Sequence, residues 1–223
     1  MTLKPDAWLS EILGKPAWHL SGVDFTAPDG RAFIDAKVAV DNTGTLVALQ
    51  TEGFAVVDVN IQLERPAGAL PRPTGTVRDA VPSDKAAVAA LAGDAFVYDR
   101  FHRDPAIDHA TASRLKAEWA GNYFAGARGD RMIVAENDGH VCGFLQLLTG
   151  TDGAMVIDLI AVAAKSRGKG CARAMISLAA AAGRPMRVGT QIANLSSLKL
   201  YEALGFRMAS ASYVLHLHTG ALL

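Results

Sequence analysis

Two cysteines, Cys142 and Cys171, are all that the 223 residues contain. That is far too few for a disulfide scaffold. Neither sign of charge is in excess, because 22 Lys and Arg face 22 Asp and Glu. A nucleic-acid-binding surface would show as a basic excess or patch, and none stands in the sequence, so nucleic acid is not an expected partner. Long apolar runs are missing too. No stretch is long and apolar enough to span a membrane, and the opening MTLKPDAWLSEILG holds no signal-peptide core. A cytoplasmic chain without a membrane partner is expected. The six histidines fall in no metal-ligand spacing, so no metal is expected. His216 and His218 alternate on the last predicted strand and read as surface residues.

Half of the residues are hydrophobic, enough for a sizeable core. The chain is organised around Ala154 to Ala182: a hydrophobic strand (AMVIDLIAV), a glycine-rich basic turn, and an alanine-rich helix. The turn holds Arg167, Gly168, Lys169, Gly170, Cys171 and Ala172. Glycines let a ligand approach the main chain closely. The free amides of a first helical turn then point at an anion, so this is a phosphate-binding device. It is not a P-loop, because no Gly-Lys-Ser/Thr closes it. Nor is it a dinucleotide fingerprint, because Arg173 stands where the third glycine would be. Cys171 reads as a small filler.

Ahead of this stretch, a helix is expected over 6–13, a loop over 15–32, a strand from Phe33 to Val40, a helix capped by Asn42, and a strand from Phe54 to Leu63. The strand places Val57, Val59, Ile61 and Leu63 on one face. Pro66, Pro71 and Pro73 then mark a linker. The expected division is a smaller degenerate region at 1–64, a linker at 65–75 and a catalytic domain at 76–223. In the second part a strand, two helices and three antiparallel strands lead into the glycine-rich turn. Strand 187–192, a helix from Asn194 to Leu204, and strand 207–217 follow. The two parts end alike: NTGTLVALQTEGF at 42–54 lines up with NLSSLKLYEALGF at 194–206.

The spacing Arg167, Gly170, Ala172 resembles motif A of the GCN5-related N-acetyltransferases (GNAT), where this turn cradles the pyrophosphate of acetyl-coenzyme A. The block Asn194, Ser197, Leu200-Tyr201-Glu202, Gly205-Phe206 resembles their motif B, and the element order over 76–218 is theirs. The resemblance implies an α+β fold with a central, mostly antiparallel twisted sheet flanked by helices, here with a smaller N-terminal partial copy. It implies acetyl-CoA as acyl donor and a small-molecule amine as acceptor. It assigns the turn 167–172 to the pyrophosphate and the main chain of Ile160, Ala161 and Val162 to the pantetheine arm, with the last amide polarising the carbonyl. Asn194 and Ser197 fall to the cofactor arm and Tyr201 to the protonation of the leaving thiolate. Asp158 stands near the place of an acid in many members and is a candidate base; by strand alternation it shares a face with Ile160 and Val162. Arg103, in the loop that covers the family's acceptor site, is a candidate anion contact.

RVGTQIANLSSLKLYEALGF followed by SASYVLHL is similar, more narrowly, to the dTDP-4-amino-4,6-dideoxygalactose (dTDP-fucosamine) N-acetyltransferases. That likeness implies a nucleotide-linked amino sugar as acceptor and makes Gln191 and Tyr213 candidate wall residues. It leaves room for a homodimer. The alternatives are an acetyltransferase for another small amine (an amino acid, polyamine or aminoglycoside) and a catalytically silent acyl-CoA-binding module.

Overall fold

The computed structural model describes residues 3–71 and 75–220. Its elements, in chain order, are β1 (Leu3–Pro5), α1 (Ala7–Leu13), β2 (Ala17–Leu20), β3 (Ala32–Ala39), α2 (Thr43–Thr51), β4 (Ala55–Arg65), β5 (Thr76–Asp79), α3 (Lys85–Ala95), α4 (His109–Gly121), β6 (Arg131–Asn137), β7 (His140–Thr149), β8 (Met155–Val162), α5 (Cys171–Ala180), β9 (Met186–Gln191), α6 (Leu195–Ala203) and β10 (Arg207–Thr219). Among the described residues no helix is long and apolar enough to cross a membrane.

The strands form one mixed, largely antiparallel sheet in the order β1-β2-β3-β10-β4-β9-β8-β7-β6-β5. Among the described residues only β2–β3 and β8–β9 run parallel. Alternating side chains give the sheet two apolar faces. On one, Ile61, Leu63, Ile157 and Val188 pack with Met175, Ile176 and Tyr201 of α5 and α6, and Ile34, Ala36 and Leu215 pack with Leu49 of α2. On the other, α1, α3, α4 and the loop 96–108 cover Phe33, Met132, Phe144 and Leu159. The α5 helix comes close because it is alanine-rich and because Gly143 lies beneath it. A Cβ at Gly143 would meet Met175 Cε at 3.1 Å.

Expectation and structure differ in two places outside the centre. The stretch read as loop at 15–32 contains β2, whose four residues are too few to show a period. His216 and His218 are not surface residues. His216 is 2% exposed, because the loop 96–108 lies over that face of β10. Both rings contact Asp104 Oδ2, His216 through Nδ1 at 2.6 Å and His218 through Nε2 at 2.7 Å. The three groups are placed so that they could hold a metal ion. Lys15 Nζ lies 2.9 Å from the far nitrogen of His218. A charged lysine there donates, which leaves the His218 proton on Nε2, bonded to Asp104.

The likeness between 42–54 and 194–206 extends through the sheet. Asn42 and Asn194 cap their helices the same way, accepting from Thr45 N and Ser197 N. Gly53 and Gly205 both take positive φ, 93° and 83°. Phe54 N donates to Leu49 O as Phe206 N donates to Tyr201 O. The shift that carries Asn42 onto Asn194 also carries one set of strand pairings onto the other. Lys37 opposes Val214 as Gly189 opposes Gln62, and Ala36 opposes Leu215 as Val188 opposes Leu63. Trp18–Leu20 run beside Ile34–Ala36 as Met155–Ile157 run beside Met186–Val188. A local two-fold axis therefore passes between β4 and β10 at the pair Asn60–Ser212. Between β2 and β3 there is a loop; between β8 and β9 stand the glycine-rich turn and α5.

Candidate active site

The site begins where two strands part. β8 and β9 pair only from Met155–Met186 to Ile157–Val188. β9 stays with β4 along its whole length, and β8 stays with β7. A bulge falls at the point of parting: Leu147 opposes Ile157 and Gln146 opposes Leu159, so Asp158 is the extra residue. Bulges bend a strand and re-aim side chains. The main chain of Ile160, Ala161 and Val162 thus has β7 on one edge and the opening cleft on the other. Unpaired strand edges of this kind accept an extended ligand as an added strand.

At the end of β8 the chain makes a short 3-10 turn at Ala164–Ser166 and then places Gly168 and Gly170 in the left-handed region, at φ 75° and 83°. Only glycine adopts this freely. The first bond of α5 runs from Ala174 N to Gly170 O, 2.9 Å. The amides of Cys171, Ala172 and Arg173 precede that bond, so by helix geometry they have no intrahelical acceptor. They face out of a helix start whose dipole favours an anion. Arg167 is turned back onto the strand, its Nε donating to Val162 O at 3.1 Å. Lys169 and Cys171 line a cavity of about 100 Å³ shared with the β5–β6 edge.

Asn194, Ser197 and Tyr201 sit at the start and on the body of α6. The Asn194 side chain accepts from Ser197 N at 3.2 Å and from Ser196 Oγ at 3.0 Å, so it is occupied as a cap. Tyr201 is 2% exposed and its ring lies 5.4 Å from that of Phe206. It shares an apolar cluster with Ile157 and Val188, the last pair before the strands part, and with the flanking Ile160 and Val162. Burial pushes its phenol pKa well up. That burial keeps the phenol neutral.

The bulge overturns one expectation. Asp158 does not share a face with Ile160 and Val162, which pack toward α5. Its carboxylate lies on the other face, with Leu159, Ala161 and α4. There Oδ2 accepts from Trp119 Nε1 (3.0 Å), Arg128 Nε (2.8 Å) and Gln146 Nε2 (3.0 Å), and Oδ1 from Arg128 Nη2 (2.6 Å). Arg128 in turn lies over the Trp119 ring at 4.8 Å.

On this same face the loop 96–108 roofs the centre of the sheet. Arg103 Nε donates to Val57 O at 3.2 Å, tying the loop to β4. Gln191 lies opposite Asn60, on the face away from Ile61, so Arg103 and Gln191 are brought to one side. Tyr213 is not: it packs with Leu20, Ile34 and Leu49 on the opposite face.

Sequence reasoning misses Asp58 on β4. It is 5% exposed, and among the described residues its Oδ1 has no hydrogen-bond partner. Burial raises its pKa to about 6; Asp99 adds to the rise and Arg103 opposes it. Asp99 is itself held below the ordinary carboxylate range. Burial works against its charge, but His102 and Lys116 stabilise it more. The signal available in the sequence is a lone carboxylate inside AVVDVNIQL, alternating with Val57, Val59, Ile61 and Leu63.

Residues 95–206 match the family model "Acetyltransferase (GNAT) family". The chain belongs to the GNAT acetyltransferase family and is an N-acetyltransferase by that membership. It is similar to a dTDP-fucosamine acetyltransferase of Escherichia coli O6:H1, with 30% identity over 86% of this chain and 84% of that protein. It is also similar to the spore coat polysaccharide biosynthesis protein SpsD of Bacillus subtilis, with 32% identity over 62% of this chain, and it spans only 49% of that protein's length. A GCN5-related N-acetyltransferase of Sphaerobacter thermophilus shares the fold at TM-score 0.57 and 18% identity, over 88% of this chain and 64% of that one.

Proposed function

We propose that this chain transfers an acetyl group from acetyl-CoA to the amino group of a nucleotide-linked amino sugar, by direct attack in a ternary complex. The observation that carries the donor half is the parting of β8 and β9 beside a helix start that opens on two left-handed glycines. In this reading the turn 167–172 holds the pyrophosphate through its amides. Ile160 to Val162 pair with the pantetheine arm, and the last of those amides polarises the thioester carbonyl. Similarity to the E. coli enzyme supports the acceptor class.

The acceptor arrives as an ammonium ion and must lose a proton before it can attack. Asp58 is the group suited to take it. It faces the roofed side of the sheet, one of its oxygens has no partner among the described residues, and its pKa of about 6 lies near neutrality. Asp158 has four donors on its two oxygens, which makes it a positioning residue for Arg128 and Trp119 rather than a base. Arg103 and Gln191 form part of the acceptor wall; Tyr213 has no part in it. When the thiolate leaves, Tyr201 supplies its proton. A free phenol is a weaker acid than a free thiol, at about 10 against 8.5. Burial raises the phenol, and a thiolate expelled into the same dry cluster has its own pKa raised too, so burial alone does not ease the transfer and Tyr201 also acts by its position.

The test is release of free thiol from acetyl-CoA against nucleotide-linked 4-amino and 3-amino sugars, aminoglycosides, polyamines and amino acids. Release with an amino-sugar nucleotide alone is expected. Release with another amine would keep the transferase and discard the sugar. Tight acetyl-CoA binding with no release from any of them would favour a silent binding module.

A further inference from the structure

The two cysteines meet. Cys142 Sγ and Cys171 Sγ lie 3.9 Å apart across 29 residues of chain. Cys142 is on β7, 4% exposed, and its carbonyl accepts from Ala163 N at 2.8 Å, just past the end of β8. Cys171 is the first residue of α5, and its Sγ lies 3.7 Å from Ser166 O. The pair therefore brackets the glycine-rich turn: one sulfur beside its entry, the other at its exit. Their accessibility differs. Cys171 is partly exposed and lines the 100 Å³ cavity with Lys169, whereas Cys142 is buried.

We infer that Cys142 and Cys171 form a reversible thiol–disulfide site that takes a low-molecular-weight disulfide as oxidant and staples the turn shut. The step balances. The Cys171 thiolate attacks the small disulfide, forming a mixed disulfide and expelling one small thiolate. Cys142, having lost its proton, attacks Cys171 Sγ and expels the second. Two protein thiols are oxidised to one disulfide and the small disulfide is reduced to two thiols. Burial pushes the Cys142 thiol up, so the accessible Cys171 reacts first and the buried thiol resolves it.

A disulfide holds its sulfurs about 2 Å apart. From 3.9 Å the two must close by roughly that distance again. The first residue of α5 is then drawn toward β7, and the Cys171 and Ala172 amides move off their aim. This consequence rests on the proposed cofactor role of the turn. Bond formation does not.

The experiment treats the purified 223-residue chain with oxidised glutathione, then dithiothreitol. It reads free thiols, intact mass under denaturing non-reducing conditions, and, once excess glutathione is removed, affinity by calorimetry for acetyl-CoA, which carries no free thiol. The expected result is loss of both thiols and of two hydrogens in mass. Affinity falls roughly tenfold, the size of one charge-assisted hydrogen bond, and dithiothreitol reverses all three. Reduced Cys142→Ala binds acetyl-CoA like the reduced parent; oxidised, it stops at a mixed disulfide on Cys171 and forms no bridge. A parent chain that keeps both thiols, or stops at the mixed disulfide, overturns the site. A bridge that leaves affinity unchanged overturns the staple. A reduced chain that ignores acetyl-CoA sinks the cofactor reading by itself, while mass still decides the bridge.

Discussion

At the scale of single residues, Asp58 is a carboxyl kept in a place that costs stability. Its folded-state pKa is about 6 against an ordinary 3.8, so the folded chain binds this proton more tightly than the unfolded chain. Its contribution to stability is greatest below pH 3.8 and is lost as pH rises through about 6. Asp58→Asn removes that loss, and we expect it to raise stability at pH 7 by about 2 kcal/mol while leaving stability at pH 3.5 nearly unchanged. The same change should cut turnover at least a hundredfold and remove the acid limb of the rate profile near pH 6. Urea denaturation at the two pH values and a pH–rate profile check both; an unaltered acid limb would reject Asp58 as the base. Tyr201→Phe keeps the ring packed on Phe206 and should lower turnover far more than coenzyme A affinity, which single-turnover kinetics and calorimetry separate. Tyr201 is legible in the sequence because its spacing from Asn194 and its place before Gly205-Phe206 are local. Asp58 is not, because its burial comes from a loop more than thirty residues downstream.

Glycine at a position with positive φ leaves a mark in the sequence, so the turn between β8 and α5 can be read from Gly168 and Gly170. The cleft beside it cannot. Its width depends on how far β8 and β9 pair and on a bulge at Asp158, and nothing local fixes either. The bulge also explains why simple alternation puts Asp158 on the wrong face. At this scale the sharpest test is Gly170→Asp. Aspartate is among the few residues that tolerate the left-handed region, so the cost to folding should stay near 1 kcal/mol. The added carboxylate, however, sits at the helix start meant for an anion. We expect coenzyme A affinity to fall by one to two orders of magnitude with only a small drop in melting temperature. Unaltered affinity would remove the turn from the cofactor site.

For the whole molecule, the local two-fold axis decides what can be removed. The linker prolines at 66–73 suggest that 76–223 could stand alone. The sheet, however, passes through both parts: β4 lies between β10 and β9 and pairs with each along most of its length. The exchange is reciprocal. β10, at the end of the chain, lies between β3 and β4. A chain begun at residue 76 would lose Ile61 and Leu63 from the cluster that also holds Tyr201, each worth about 2 kcal/mol. It would also leave facing edges of β9 and β10 open over several residues. Those losses are comparable with the whole stability of a domain. We expect residues 76–223 alone to be aggregated or molten, with weak amide protection in β9 and β10 by hydrogen exchange. A longer chain begun at residue 54 should regain protection in β9 first, because β4 supplies its partner strand. It should still leave the outer edge of β10 open where β3 is missing. A shortened chain from 76 onward that folds cooperatively and binds coenzyme A would show that β4 only borders the catalytic half and does not complete it.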